Sequence, residues 1–148
     1  MIRPATPEEA ATVAAIVDAA YRHYIARIGK PPGPMLDDYP ALVAAGKVWV
    51  HDSGSGIGGI VVLEDQADAL LLDNVAVHPD RQGTGVGKAL IEFAEATAKA
   101  RGFDRVRLYT HAKMTENIAL YLRVGFMEMY RTTEKGFDRV YMEKPLRD

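Results

Sequence analysis

The sequence predicts an α+β fold: an α/β sandwich with one mixed, mostly antiparallel central sheet flanked by helices. Three observations carry this. Leu70–Val77 is an apolar run of strand length, and after a glycine-rich loop the apolar positions Val86, Leu90, Phe93, Ala94 and Thr97 take up helical spacing. A strand–helix–strand unit of this kind, closed by the alternating residues 104–110, predicts a right-handed crossover between parallel strands. On either side of it, residues 47–64 and 126–144 read as antiparallel hairpins. The 148 residues suffice for a single domain with a real core, expected to span 1–148.

In chain order, residues 2–5 predict a short first strand. Thr6-Pro7-Glu8-Glu9 is a helix start, with Thr6 as N-cap, Pro7 at the first helical position and Glu9 completing a capping box. Val13, Ile16, Val17, Ala20, Tyr21 and Tyr24 then form one apolar stripe. The two tyrosines fit the edge of a core or the lining of a pocket. Residues 29–35, with three prolines and two glycines, predict an irregular, stiffened loop, either a rigid connector or a segment in contact with a substrate. A short helix is expected over 41–45. Strands over 47–51 and 57–64 flank a loop at 52–56, beside which His51 is expected to be solvated. Gly58-Gly59 inside the second strand predicts a bulge or a close approach by another group. His78-Pro79-Asp80 ends the central strand, and Gly102 ends the helix after it. A short helix from Asn117 to Tyr121, capped at Gly125, and a hairpin turning at Glu134-Lys135-Gly136 complete the chain.

Residues 81–88, Arg-Gln-Gly-Thr-Gly-Val-Gly-Lys, carry the clearest chemistry. Three glycines at alternate positions leave the backbone bare where a helix begins. The first turn of a helix has amides without internal partners, and the macrodipole adds partial positive charge there. With Arg81 and Lys88, these features describe an anion site suited to phosphate. A P-loop would need a glycine at Gln82 and a hydroxyl at Ala89. A dinucleotide fingerprint would need its third glycine at Lys88 or Leu90. Both patterns fail.

What remains, Gln82-x-x-Gly85-x-Gly87, resembles the acetyl-CoA motif of the GNAT superfamily of N-acetyltransferases. The run from Thr115 to Phe126, with Asn117, Tyr121 and Gly125-Phe126, resembles the superfamily's next signature. The resemblance covers roughly residues 70–126. It implies acetyl-CoA as co-substrate and acetyl transfer to a primary amine by direct attack. Backbone groups of Val75, Ala76 and Val77 would pair with the pantetheine arm like an added strand, and one amide there would polarise the thioester carbonyl. The amides of Gln82, Gly83, Thr84, Gly85, Val86, Gly87 and Lys88 would hold the diphosphate. Asn117 would bond the pantetheine or hold the geometry, and residues 29–35 would cover the acceptor.

The implied reaction has definite requirements. A lysine-like amine of pKa about 10.4 is neutral in roughly one molecule in 2,500 at pH 7, so deprotonation costs about 4.6 kcal/mol and a base helps. The carbonyl oxygen needs a fixed donor. Tyr121 matches the tyrosine implied as general acid; transfer from a phenol to an alkyl thiolate is uphill by about 2 kcal/mol, so it reads as a hydrogen-bond donor to sulfur that passes its proton late. Where histone-type members carry a glutamate base, this chain has Leu71. Asp73 and Glu64 are the substitutes. Asp73 could equally cap a turn or position the acceptor, and a water chain could replace both.

The net charge of −2 and the absence of a basic run argue against nucleic acid as a partner. The chain has no cysteine, which excludes disulfides, zinc–thiolate sites and a cysteine nucleophile within it; no metal site is expected. The N-terminus lacks a signal-peptide apolar core and no run is long enough to span a membrane, so a cytoplasmic protein is expected. The acceptor that the resemblance implies is a small-molecule or peptide amine, and a homodimer is compatible with the sequence. The alternative function is a non-catalytic acyl-CoA-binding sensor of the same fold.

Overall fold

The computed structural model describes residues 1–146; Arg147 and Asp148, the end of the expected 1–148 domain, lie outside the described residues. A seven-stranded mixed sheet flanked by helices has the strand order β1-β2-β3-β4-β5-β7-β6, the α+β class expected. The strands are β1 Ile2–Pro4, β2 Val48–Asp52, β3 Ile57–Asp65, β4 Leu70–Val77, β5 Arg105–His111, β6 Met127–Glu134 and β7 Phe137–Pro145. The helices are α1 Ala10–Tyr21, α2 Tyr24–Ile28, α3 Tyr39–Ala44, α4 Val86–Ala100 and α5 Thr115–Arg123. None of these helices is long and apolar enough to cross a membrane.

The described chain comprises two compact units. The first holds residues 1–63 and 74–93. In it β1 pairs with β2, and β2 with β3, both antiparallel. The Thr6 amide donates to Glu9 Oε1 at 2.9 Å, as the capping pattern predicts, over a 3₁₀ turn at Pro7–Glu9. Arg3 grips Glu9 and Asp52 at 2.7 and 3.0 Å, joining β1 to the helix start and to the end of β2. The predicted stripe is buried at Val13, Ile16, Val17, Ala20, Tyr21 and Tyr24. The helix itself breaks after Tyr21, so Tyr24 belongs to a separate short helix ended by Gly29 at φ +92°.

Three local expectations are corrected here. The loop at 29–35 is not wholly irregular: Gly33–Leu36 makes a 3₁₀ turn, closed by the Met35 amide on the Pro32 carbonyl at 3.0 Å. The following helix starts at Tyr39, two residues early, because Asp38 accepts from the Ala41 amide at 3.1 Å and Pro40 is tolerated in a first turn. His51 is not simply solvated. Its Nδ1 is buried and has no hydrogen-bond partner among the described residues. By contrast, both readings of Gly58-Gly59 hold. The β2–β3 register shifts there, with His51 opposite Gly59 and Asp52 opposite Ile57. A Cβ on Gly59 would lie 2.8 Å from Val86 Cγ1, 3.0 Å from Leu90 Cδ1 and 3.2 Å from the Ala76 carbonyl oxygen.

The second unit holds residues 64–73 and the chain from Ala94 onward. Leu70–Leu72 pairs with Val106–Leu108 in parallel, as the strand–helix–strand reading requires. β5 pairs with β7, and β7 with β6, antiparallel. The last hairpin is longer than expected because Lys135 and Gly136, at φ +52° and +79°, make a two-residue turn with both central residues left-handed, and pairing runs up to it from Glu134 and Phe137. Val106, Leu108, Val140 and Met142 alternate into the core, while Tyr109 and Tyr141 stack on the other face at 5.6 Å.

Candidate cofactor-binding loop and catalytic residues

The first unit contains the whole of the predicted anion loop. After β4 the chain makes a 3₁₀ turn at Pro79–Arg81, then turns through residues 82–85 into α4. Gly83 and Gly85 sit at φ +79° and +90°, the left-handed region that side chains disfavour. A Cβ built on either would meet nothing within 4 Å, so the backbone here borders open space. The first helical bond runs from the Ala89 amide to the Gly85 carbonyl at 3.0 Å. The amides of Val86, Gly87 and Lys88 therefore precede the helical ladder, at the positive end of a fifteen-residue helix. Gly87 is helical and differs from the other two: its Cβ would make an ordinary 3.5 Å contact with Val77 Cγ2.

The loop is braced from within its own unit. The Gln82 side-chain amide donates to the Val77 carbonyl at 3.4 Å, and the Thr84 hydroxyl donates to the Arg81 carbonyl. The His78 amide donates to the Gly58 carbonyl at 2.9 Å. Arg81 packs its stem where Gly58 lacks a side chain; a Cβ there would approach Arg81 Cγ to 2.8 Å. Its guanidinium donates to Ser53 Oγ at 3.1 Å. Lys88 lies exposed, 3.9 Å from Glu92 one helical turn on. The cradle is thus mostly backbone, and its fit to an anion rests on three unladdered amides beside open space rather than on side-chain charge. Of the strand residues implied for the pantetheine arm, Val75 and Ala76 are buried and Val77 is half-buried.

The catalytic candidates Tyr121, Asp73 and Glu64, with Asn117, fall in the second unit. Helix α5 ends in a Schellman arrangement: the Phe126 amide bonds the Tyr121 carbonyl at 3.0 Å, and the Gly125 amide bonds that of Leu122 at 3.2 Å. Gly125 takes φ +104°, and the Phe126 ring meets the Tyr121 ring at 5.8 Å, the hydrophobic contact that accompanies this cap. The Tyr121-x-x-x-Gly-Phe spacing is therefore a helix stop that also fixes a tyrosine. Tyr121 is 4% exposed. Asn117 lies half-buried in the first turn of α5, its amide on the Met114 carbonyl at 3.1 Å. Asp73 is half-buried and accepts from the Tyr109 hydroxyl at 3.0 Å, so it is a hydrogen-bonded carboxylate rather than a turn cap. Glu64 is half-buried near the end of β3. Leu71, at the position where a glutamate is absent, is buried.

Sequence reasoning passed over Asn74. It is 3% exposed, and it lies between two tyrosine hydroxyls. Tyr21 donates to its Oδ1 at 2.8 Å, and its Nδ2 donates to Tyr39 at 3.0 Å. Tyr24 and Tyr39, each 3% exposed, are buried as well. The available signal was a lone amide inside the most apolar strand of the chain.

Comparison with known proteins agrees with this architecture. The profile of the acetyltransferase (GNAT) domain matches residues 44–128. The chain belongs to the GNAT acetyltransferase family. It is 35% identical over 85 residues to the ribosomal protein bS18-alanine N-acetyltransferase of Escherichia coli, covering 53% of this chain and 57% of that protein. It is 46% identical over 68 residues to the mycothiol acetyltransferase of Jonesia denitrificans, covering 46% of this chain and 22% of that protein. The chain thus spans little more than half, or less, of the curated relatives it matches. Among solved structures, the PaiA N-acetyltransferase of Thermoplasma acidophilum, determined with coenzyme A, superposes with a TM-score of 0.81 at 20% identity, over 98% of both chains.

Proposed function

We propose that the protein is an N-acetyltransferase that moves an acetyl group from acetyl-CoA to a primary amine. The observation that supports this most is the bare backbone cradle at residues 82–88, which offers unladdered amides, a helix N-terminus and open space beside Gly83 and Gly85. Acetyl-CoA supplies the acetyl thioester. The chain's own residues do the rest. The amides of Gly83 to Lys88 hold the diphosphate, the Gln82 amide donating instead to the Pro79 carbonyl at 3.4 Å; Val75, Ala76 and Val77 align the acyl arm by strand-like pairing, and an amide of that strand steadies the thioester carbonyl oxygen. Tyr121 donates to the leaving sulfur, and Asn117 supports the arm. Asp73, oriented by the Tyr109 hydroxyl, takes the ammonium proton directly or through water, with Glu64 as the second candidate. The acceptor is a small-molecule or peptide amine, and the cytoplasm is the proposed compartment. We propose that residues 1–148 form a single domain in this role.

The second reading is a sensor that binds acyl-CoA without turnover. Leu71 favours it, since a buried leucine stands where the family's histone-type members carry a base. Steady-state CoA release from acetyl-CoA against a panel of an alanyl peptide, spermidine and lysine separates the two. Amine-dependent release supports the enzyme. Binding of acetyl-CoA with no amine-dependent release supports the sensor.

A further inference from the structure

The buried amide of Asn74 has a consequence for the proline-rich loop. A strand interior accepts leucine or valine at no polar cost, whereas a buried carboxamide is costly unless each of its atoms is paired. Here the pairing is directional. Asn74 Nδ2 donates to the Tyr39 hydroxyl at 3.0 Å, so that hydroxyl's single proton is left to donate, and it goes to the Pro34 carbonyl in the 3₁₀ turn of the loop. On the other side the Tyr21 hydroxyl reaches both Asn74 Oδ1 and the Val75 carbonyl at 2.8 Å. Pro31, Pro32 and Pro34 have no N–H, so the loop is short of backbone donors with which to fasten itself, and Tyr39 holds its Pro34 carbonyl from outside. Pro32 is buried, while Leu36 is exposed.

We propose that Tyr21, Asn74 and Tyr39 form a positioning network that pins the proline-rich loop, through the Pro34 carbonyl, to the interior of β4, and thereby sets how the acceptor amine is presented. This rests on the acetyl-CoA reading of β4 given above and on the implied placement of residues 29–35 over the acceptor. All of the network's members lie in the first unit. None is a catalytic residue. Tyr39 serves the loop, and Tyr21 serves the Val75 carbonyl at the start of the strand segment that aligns the acyl arm.

The two hydroxyls can be removed separately without changing either ring's packing. Tyr39→Phe is expected to raise amide hydrogen exchange at Gly33, Met35 and Leu36 about tenfold, the worth of one buried hydrogen bond, and to leave α4 unchanged. It is expected to raise the KM of whichever panel amine (alanyl peptide, spermidine or lysine) turns over fastest, several-fold, with kcat and acetyl-CoA affinity close to wild type. Tyr21→Phe is expected to weaken acetyl-CoA binding instead. Unchanged loop exchange in folded Tyr39→Phe overturns the pinning. A loosened loop with an unchanged amine KM overturns the positioning role and leaves a purely structural one. Wild-type protein that fails to bind acetyl-CoA overturns the functional reading instead, and loop exchange, measured on the free protein, still decides the pinning.

Discussion

Replacing Gly87 by valine tests the cofactor cradle with the least disturbance of the fold. Gly87 is already helical, and a Cβ there makes only an ordinary 3.5 Å contact with Val77 Cγ2. Valine is also a slightly better helix former than glycine, by a few tenths of a kcal/mol. The fold should survive. Helical Cα–Cβ bonds tilt toward the helix N-terminus, so the valine methyls would lean over the amides of residues 86–88. If two charge-assisted bonds to a phosphate are denied, at about 1.5–3 kcal/mol each, the loss is at least about 3 kcal/mol. That corresponds to roughly a hundredfold or greater rise in Kd for acetyl-CoA. Gly85→Val is the less clean variant, because φ +90° strains any side chain whatever the ligand. Isothermal titration of folded Gly87→Val, with circular dichroism alongside, is the assay. Wild-type affinity in a folded variant would refute the backbone-cradle reasoning.

Three further outcomes are expected. Tyr121→Phe should lower the acetyl-transfer rate roughly ten- to a thousandfold with little change in acetyl-CoA affinity; an unaltered turnover number would leave Tyr121 with its capping role alone. Gly59→Ala should destabilise by about 1–3 kcal/mol, seen as a lowered Tm, because its Cβ would press on Val86, Leu90 and the Ala76 carbonyl at once; an unchanged Tm would show that these neighbours yield freely. Glu9 is held down to about 2 by the Arg3 guanidinium and the Thr6 amide. A depressed carboxylate stabilises the fold above its unfolded pKa, so this contribution, about 1 kcal/mol after solvent screening, should disappear as pH falls from about 4.5 through 2. Denaturant titrations across that window should show the loss in wild type and a flatter profile in Arg3→Gln.

The parts of the molecule legible in the sequence are those set by local spacing. The glycine-rich turn before α4, the caps at Gly102 and Gly125 and the strand lengths of β3 and β4 follow from glycine placement and hydrophobic period, which need no knowledge of the partner element. Gly102 and Gly125 even build the same cap, with the Phe103 and Phe126 amides reaching back five residues to Ala98 and Tyr121. What escaped depends on tertiary neighbours. His51 alternates on a strand beside a loop, and nothing local says that its Nδ1 is buried. Tyr21 and Tyr24 fit a core edge or a pocket lining equally well by their spacing, and only the packing shows that both are buried. Asn74 becomes informative only once Tyr21 and Tyr39, 53 and 35 residues away, are seen to meet it. The proposed base has no local signal either: Leu71 removes it, and Asp73 gains its orientation from Tyr109 on another strand.

Acetyl transfer itself is tested most directly by product analysis over many turnovers. Purified protein, acetyl-CoA and the panel amine are incubated together, and acetylated amine and free CoA are both quantified by mass spectrometry. Equal amounts of the two are expected, each in large excess over enzyme, with both initial rates reduced at least a hundredfold in Gly87→Val at acetyl-CoA well below the wild-type Kd. Tight binding of acetyl-CoA with no acetylated amine from any panel member would contradict it.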